Sequence, residues 1–240
     1  MTVRYFVDEP ITRETATLSG SEAHHLLHVM RAKPGDEVVL FDGSGEEFPA
    51  RVEALRRSEA DLIILDRQRV DRELPSPLIL GVALPKGDRQ RWLVEKAVEL
   101  GVTRLIPLET ARSVAQPDAK AVQRLGRAVI EASKQCGRNR LMEIGLPTAW
   151  REFVASAADT RIRLVAHPSN QSAAPILRPV LPGPVCLAVG PEGGLSDEEV
   201  EQAVRCGWET ISLGPRILRI ETAALALAAL LAAELEERGT

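Results

Sequence analysis

The chain has 240 residues, a net charge of −4 and 45% apolar residues. This length allows one large domain or two small ones, and the apolar share is sufficient for an ordinary core. The longest apolar run, 223–233, is about half of the roughly 20 residues that a membrane-spanning helix needs. The first ten residues lack the basic start and long apolar stretch of a secretory signal. These features predict a cytoplasmic protein that does not enter a membrane.

The cysteines and histidines do not predict a metal site. Cys136, Cys186 and Cys206 are widely spaced and form no C-x-x-C pair, so neither a disulfide framework nor a zinc site is indicated. His24 and His28 have the i, i+4 spacing of a metal-binding pair. No H-E-x-x-H motif and no third ligand accompany them, and we therefore predict no bound metal.

The negative net charge is unevenly distributed along the chain. Residues 86–140 contain twelve Lys and Arg against six Asp and Glu, whereas residues 1–72 and 141–240 are both acidic. A cationic middle segment favours a polyanionic partner such as RNA. A solvated helix surface rich in Lys and Arg would give the same composition.

The N-terminal part reads as short strands separated by turns. Strands are predicted at 3–7, 36–43, 46–55 and 60–70. A short helix at 19–31 interrupts them, with Ser19 and Glu22 in the spacing of a capping box. We therefore predict a small antiparallel β-domain over residues 1–72. The prolines in 73–77 indicate a linker.

After the linker, strands alternate with helices. The predicted strands are 78–84, 103–109, 162–168, 184–191 and 209–215, and the predicted helices are 86–101, 119–136, 196–206 and 221–237. This alternation implies parallel pairing in an open α/β sheet over residues 78–240. Ligands of such a sheet bind at the carboxyl ends of the strands.

Three loops at strand ends could meet in one crevice: 166–168, 190–194 and 213–218. The glycines of the second loop would let the backbone approach a ligand closely. The loop has no P-loop motif and no lysine, and Glu192 would repel an anion, so a cationic or neutral ligand is favoured over a phosphate. Each loop alone is also compatible with a plain turn. Arg216 and Arg219 beside the third loop would either meet an anionic substrate or extend into solvent.

Four motifs occur in order behind a β-domain that contains HHLLHVMR: KGDRQRWLVEKAVELGV, QCGR, GPEGGLSDEE and LGPRILRIETA. Together they resemble the bacterial ribosomal RNA small-subunit uridine-N3 methyltransferases of the SPOUT class, over nearly the whole chain. Cys136 and Met142 depart from the family, where serine and proline are common. The resemblance implies a PUA-like β-barrel RNA-binding domain at 1–72 and an α/β methyltransferase domain at 78–240 with a deep trefoil knot.

The resemblance also implies S-adenosylmethionine as the cofactor and N3 of a uridine in 16S ribosomal RNA as the methyl acceptor. Carried over onto this sequence, the cofactor-binding residues are Ala166, His167, Gly190, Pro191, Glu192, Gly193, Leu213, Gly214, Ile217 and Leu218. Leu213, Ile217 and Leu218 would enclose the adenine. Glu192 would favour the positive charge of the sulfonium.

Methylation at N3 requires the loss of the N3 proton, so a general base or an anion-stabilising cation is needed. Arg138 shares a helix face with Glu131 and Gln135. We expect Arg138 or Arg219 to supply the cation, although Arg138 could instead contact a phosphate. Glu95 is the carboxylate candidate, with a surface ion pair with a neighbouring lysine as its alternative role. The predicted RNA contacts are Arg4, His25, Arg31, Lys33, Lys86, Arg89, Arg112, Lys134, Gln135 and Arg216.

The last predicted helix, 221–237, is apolar on every side, so one sheet face cannot cover it. We expect a second subunit to cover the remainder, and the resemblance likewise implies a homodimer. Three other functions are compatible with the sequence. They are RNA binding without catalysis, phosphotransfer with a nucleotide on the glycine loop, and the same methylation on another RNA base.

Overall fold

A computed structural model describes residues 3–114, 119–157, 160–168 and 183–239. The chain divides into two compact units, Met1–Glu73 with Ser133–Leu141 and Leu74–Ala132 with Met142–Thr240. The segment Ser133–Leu141 is therefore grouped with the N-terminal residues, whereas the sequence analysis placed it in the α/β domain. Among the described residues, no helix is long and apolar enough to cross a membrane.

The first unit is built on a five-stranded sheet with the order β1-β3-β4-β5-β2. Its strands are β1 (Arg4–Phe6), β2 (Thr15–Leu18), β3 (Glu37–Phe41), β4 (Glu47–Leu55) and β5 (Ala60–Ile64). The predicted antiparallel pairing holds for three of the four neighbouring pairs. β1 is added in parallel to β3, so the sheet is mixed. β2 was not predicted from the sequence, because its four residues include two exposed threonines and a single buried side chain.

The predicted helix of this unit is present, but its capping box is not. α1 (Gly20–His24) continues as one π-helical turn, His25–Val29. Ser19 is the N-cap residue, yet its side chain makes no cap hydrogen bond. Glu22 is engaged elsewhere: its Oε2 accepts a hydrogen bond from the backbone N of Phe6 at 3.2 Å, and its Oε1 accepts one from Lys134 Nζ at 2.9 Å. These contacts compete with the reciprocal bond to the N-cap backbone that a capping box requires.

The second unit contains a parallel sheet with the order β12-β10-β11-β6-β7-β8, and β9 pairs with β7. The strands are β6 (Leu78–Val82), β7 (Arg104–Glu109), β8 (Glu143–Ile144), β9 (Thr148–Ala149), β10 (Ile162–Ala166), β11 (Val185–Val189) and β12 (Glu209–Ile211). The helices are α2 (Arg89–Glu99), α3 (Ala119–Cys136), α4 (Trp150–Ser156), α5 (Asp197–Arg205) and α6 (Ile220–Gly239), and the last turn of α3, from Ser133, is grouped with the first unit. The parallel pairing predicted from the alternating pattern is confirmed.

Apolar patterning accounts for most of this unit. All five residues of β11 are buried, as expected for a central strand covered on both faces. α2 buries the apolar face that the sequence predicts, with Leu93, Val94, Ala97 and Val98 inside. Phe153 of α4 packs directly on the glycine of β6, since a Cβ at Gly81 would overlap its ring. The sequence analysis did not predict β8, β9 or α4, because strands of two residues and a helix of seven leave little periodicity to detect.

Candidate active site

The three candidate loops leave the sheet at the same edge. β10 lies between β12 and β11, and Ala166 is in register with Ile211 on one side and Val189 on the other. The backbone N of His167 extends this register by donating a hydrogen bond to the carbonyl of Ile211 at 2.9 Å. Because all three strands run in the same direction, the segments after residues 166, 189 and 211 emerge together. The structure thus brings together the strand ends at which the ten predicted cofactor-binding residues lie: Ala166 ends β10, and the other nine follow β10, β11 or β12.

The glycine loop, residues 190–194, is a tight turn that leads into α5. The backbone N of Gly194 donates to the carbonyl of Pro191 at 2.8 Å, and Gly194 has a φ of +71°. A Cβ on Gly190 would lie 2.7 Å from Cγ of Leu195, so only glycine fits there without displacement. Ser196 and Glu199 then form the predicted capping box at the start of α5. The tight turn and its close contact with Leu195 therefore explain two of the glycines in this loop without a ligand.

Two arginines hold the glycine loop. Arg89 Nη2 lies 2.9 Å from Glu192 Oε1, and Arg112 Nη1 donates to the carbonyl of Gly193 at 2.8 Å. The hydrogen bond with Glu192 raises the pKa of Arg89, which remains a cation at any physiological pH. The negative charge of Glu192 is therefore offset within the chain itself. Both arginines were predicted from the sequence to contact RNA, and this role stays a prediction. The charge of Glu192 was expected to favour the sulfonium.

Glu221 is a further charged residue near the glycine loop, and it was not predicted from the sequence. It lies in the first turn of α6 and is only 5% exposed. Its Oε1 is 3.6 Å from Nη1 of Arg89, and its Oε2 is buried with no hydrogen-bond partner among the described residues. A helix N-terminus favours a carboxylate at this position. The one available signal was an acidic residue at the start of an otherwise apolar helix.

The third loop, residues 213–218, offers apolar surface and cations. Leu213 and Leu218 are half-buried, whereas Ile217 is 94% exposed. Gly214 has a φ of +102°, a backbone conformation that favours glycine. The flanking Arg216 and Arg219 are both exposed. Apolar side chains, loop main chain and the carboxylate of Glu221 are the kinds of group that bind an adenine ring and a positive charge.

Two of the three predicted catalytic residues have structural partners. Arg138 belongs to the first unit, is 3% exposed, and donates from Nε and Nη2 to the two carboxylate oxygens of Glu73. Glu95 accepts a 2.7 Å hydrogen bond from Arg91 one turn earlier in α2, which is an ion pair with an arginine rather than with the neighbouring lysine considered as its alternative partner. Arg219 is exposed at the loop edge. The catalytic roles of all three stay predictions.

The predicted RNA contacts divide into engaged and exposed side chains. Arg4 is paired with Glu47 at 2.7 Å and also donates to Asn139, and Lys134 is paired with Glu22. The ring of the half-buried His25 lies 5.7 Å from that of Tyr5. Arg89 and Arg112 contact the glycine loop, as described above. The other five predicted RNA contacts have exposed side chains: Arg31, Lys33, Lys86, Gln135 and Arg216.

The histidine pair noted in the sequence lies on α1 and on the π-helical turn that follows it. The rings of His24 and His28 have centroids 4.7 Å apart. Within the described ranges, no group of three His, Cys, Asp or Glu side chains is placed to hold a metal ion.

Comparison with known families identifies the class of protein. The family model of the RNA methyltransferase domain matches residues 72–232, and that of the RNA methyltransferase PUA domain matches residues 18–65. The chain therefore belongs to the RNA methyltransferase family, with a PUA domain preceding the methyltransferase domain. The family resemblance and the SPOUT-like fold class predicted from the sequence are both confirmed.

Individual relatives narrow the comparison. A Synechocystis protein named Ribosomal RNA small subunit methyltransferase E is 35% identical over 90% of this chain and 72% of its own. The protein of the same name from Bacillus subtilis is 31% identical over 92% of this chain and 93% of its own.

Two solved structures match the whole chain. A methyltransferase from Legionella pneumophila in complex with S-adenosylmethionine has a TM-score of 0.90 and 34% identity, and covers 97% of this chain and 98% of its own. The Neisseria gonorrhoeae Ribosomal RNA small subunit methyltransferase E, bound to the same cofactor, has a TM-score of 0.88 and 31% identity, with the same coverage. The cofactor bound in both is the one that the sequence predicts here.

Proposed function

We propose that this chain uses S-adenosylmethionine to methylate N3 of a uridine in 16S ribosomal RNA of the small subunit. The observation that carries the proposal is the emergence of three loops from the adjacent strands β12, β10 and β11 at one sheet edge. Two relatives with TM-scores of 0.88 and 0.90 bind this cofactor. The names of the curated relatives support ribosomal RNA of the small subunit as the substrate.

Each loop has a defined task in this proposal. Leu213 and Leu218 pack against the adenine, and the backbone of Gly190–Gly194 approaches the rest of the cofactor closely. When bound, S-adenosylmethionine supplies an activated methyl group. Arg219, exposed at the loop edge, stabilises the negative charge that develops on the uracil oxygens as N3 loses its proton.

RNA binding is distributed over both units in this proposal. In the first unit, Arg31 and Lys33 are exposed just after the π-helical turn, in the region that the PUA family model matches. In the second unit, Lys86 and Arg216 are exposed in segments that follow strand ends of the sheet. Lysine and arginine side chains at such positions neutralise phosphates without reading the base sequence.

The decisive experiment is mass spectrometry of nucleosides from ribosomal RNA incubated with the protein and labelled S-adenosylmethionine. We expect label in N3-methyluridine. Label in a different nucleoside would contradict the N3 assignment and support the same chemistry on another base. No incorporation, with RNA binding retained, would support a non-catalytic RNA-binding protein.

A matched pair of variants tests the role of Arg219 in the same assay. Arg219→Ala should lower the rate of methylation at least tenfold, because a charge-stabilising cation is lost. Arg205→Ala is the control, since Arg205 is an exposed arginine on α5 that contacts Glu201 of its own helix. Equal rates for the two variants would contradict a catalytic role for Arg219.

We also propose that the active form is a homodimer. α6 packs Ala224, Leu227 and Leu231 inside its own unit, and leaves Ala229, Ala233 and the 46% exposed Leu230 on its outer side. This exposed apolar stripe continues along the helix that begins right after the third loop. A second copy of the chain would cover it.

Light scattering at micromolar concentration tests the dimer. The wild-type protein should have twice the chain mass, and Leu230→Glu should shift it to the monomer. Leu146→Glu is the control, because Leu146 is 77% exposed between β8 and β9 and lies outside α6. A monomeric wild type would contradict the proposal.

A further inference from the structure

The negative charges near the glycine loop are unequally compensated. Glu192 receives a 2.9 Å hydrogen bond from Arg89 and is 42% exposed at its side chain, so solvent and a guanidinium share its charge. Glu221 lies farther from the same arginine, at 3.6 Å, and its side chain is 7% exposed. Its second oxygen has no hydrogen-bond partner among the described residues. The least compensated carboxylate in this cluster is therefore Glu221.

A buried carboxylate such as that of Glu221 destabilises the folded protein unless a ligand compensates its charge. A buried carboxylate oxygen without a donor loses its hydration and gains no protein hydrogen bond in return. The N-terminus of α6 and Arg89 offset part of this cost. A cation bound close to Glu221 would offset more, and its attraction would be weakly screened because the side chain is shielded from water.

We propose that Glu221, rather than Glu192, supplies the negative charge that stabilises the positively charged sulfonium of the cofactor. This inference rests on the proposed use of S-adenosylmethionine. Glu221 acts through its electric field as a positioning residue and takes no part in proton transfer. Arg89 has a supporting role, since it links the glycine loop at Glu192 to the first turn of α6.

A comparison of two ligands measures the effect of Glu221 on the charge of the sulfonium. S-adenosylmethionine carries a methylated, positively charged sulfonium, whereas S-adenosylhomocysteine lacks this methyl group and carries a neutral thioether; the remaining groups of the two ligands are the same. The ratio of their affinities, measured by calorimetry, therefore reports the stabilisation of the sulfonium. A variant that is partly unfolded or loosely packed binds both ligands more weakly, and this effect cancels in the ratio of the two affinities.

Glu221→Gln keeps the size of the side chain and removes its charge. We expect it to weaken S-adenosylmethionine relative to S-adenosylhomocysteine by about tenfold. Glu201→Gln is the matched control, because Glu201 is an exposed glutamate on α5 that contacts Arg205 of its own helix, and it should leave the ratio within about twofold of the wild type. Glu192→Gln tests the competing assignment, and we expect a smaller change there than in Glu221→Gln, because Arg89 and solvent already offset that charge.

The outcomes separate the inference from the proposed function. An unchanged ratio in Glu221→Gln, with both ligands still bound by the wild type, would overturn the role of Glu221 and leave the methyltransferase proposal standing. A large change in Glu192→Gln alone would assign the charge to the glycine loop instead. Failure of the wild type to bind either ligand would overturn both.

Discussion

Arg138 donates two hydrogen bonds, from Nε and Nη2, to the two carboxylate oxygens of Glu73, and the exposed fractions of the two side chains are 4% and 14%. This planar, two-point contact is the geometry in which a guanidinium matches a carboxylate best. A buried pair of this kind adds little net stability compared with apolar residues, but removal of one partner leaves an uncompensated charge inside. The residue that the sequence suggested as catalytic thus has a structural role in the first unit.

Arg138→Ala should lower the free energy of unfolding by about 3 kcal/mol, because the charge of Glu73 is then buried without its partner. Arg138→Lys should recover only part of this loss, since an ammonium cannot form the two parallel hydrogen bonds. Urea denaturation measures both. Arg140→Ala is the control at an exposed neighbouring arginine, and an equal loss of stability there would contradict the argument.

The double variant Glu73→Gln, Arg138→Gln tests catalysis separately. Methylation at nearly the wild-type rate, at a temperature where the double variant is folded, would exclude a catalytic role for Arg138.

Arg31 combines backbone strain with exposure. Its φ is +54°, the one positive value among the described residues other than glycine, and its side chain is exposed in the region predicted to meet RNA. Arg31→Gly should raise the free energy of unfolding by about 1 kcal/mol, because glycine adopts this conformation without the Cβ clash. The same change should weaken RNA binding at low salt through the loss of one cation. Arg31→Ala is the matched variant: it loses the cation and keeps the strain. Equal stability of the two variants would contradict the strain argument.

The parts of the fold that were predictable from sequence are those with a strong local signal. The buried face of α2, the bounds of α3 and the capping box of Ser196 and Glu199 all follow from residue spacing within a few turns. Parallel pairing followed from the alternation of strands and helices. β2 and the parallel addition of β1 depend on partners far away in the chain, and no local pattern encodes them.

In the candidate site, too, features with a local sequence signal were predictable and contacts between distant residues were not. The strand-end positions of its three loops were predictable, because carboxyl ends of parallel strands share an edge. The ion-pair partner of each charged residue was not predictable. Glu192 is paired with a residue 103 positions away, and sequence alone gives no distance between them. The low exposure of Glu221 likewise depends on the packing of α6 in its unit.

Glu47 should make the first unit sensitive to acid. Burial acts to raise its pKa, but hydrogen bonds from Arg72, Arg4 and Asn139 outweigh this effect and hold the pKa below its ordinary value of 4.5. A carboxyl with a lowered pKa in the folded state stabilises the protein above the unfolded-state pKa, and this contribution is lost as the pH falls through the folded-state pKa.

Glu47→Gln should therefore be less stable than the wild type at pH 7, and the difference should shrink as the pH falls below about 4.5. Urea denaturation between pH 3 and pH 7 measures this difference. Glu59→Gln is the control, since Glu59 contacts Arg56 at 3.8 Å and both side chains are largely exposed. A difference for Glu47→Gln that is independent of pH would show that the carboxylate charge is not the cause.

The two glycines at either side of Glu192 should respond differently to alanine. A Cβ at Gly190 would lie 2.7 Å from Cγ of Leu195 and 3.3 Å from its backbone N, so Leu195, two residues before α5, must shift to accept it. At Gly193 the nearest atom is Cδ of Arg112 at 3.4 Å, which is ordinary contact. Gly190→Ala should cost about 1–3 kcal/mol of unfolding free energy and weaken S-adenosylmethionine, because overpacking displaces the loop backbone. Gly193→Ala should change stability by less than about 0.5 kcal/mol. Thermal denaturation and calorimetry of both variants test this contrast, and a well-tolerated Gly190→Ala would mean that the loop is held less tightly than its contacts indicate.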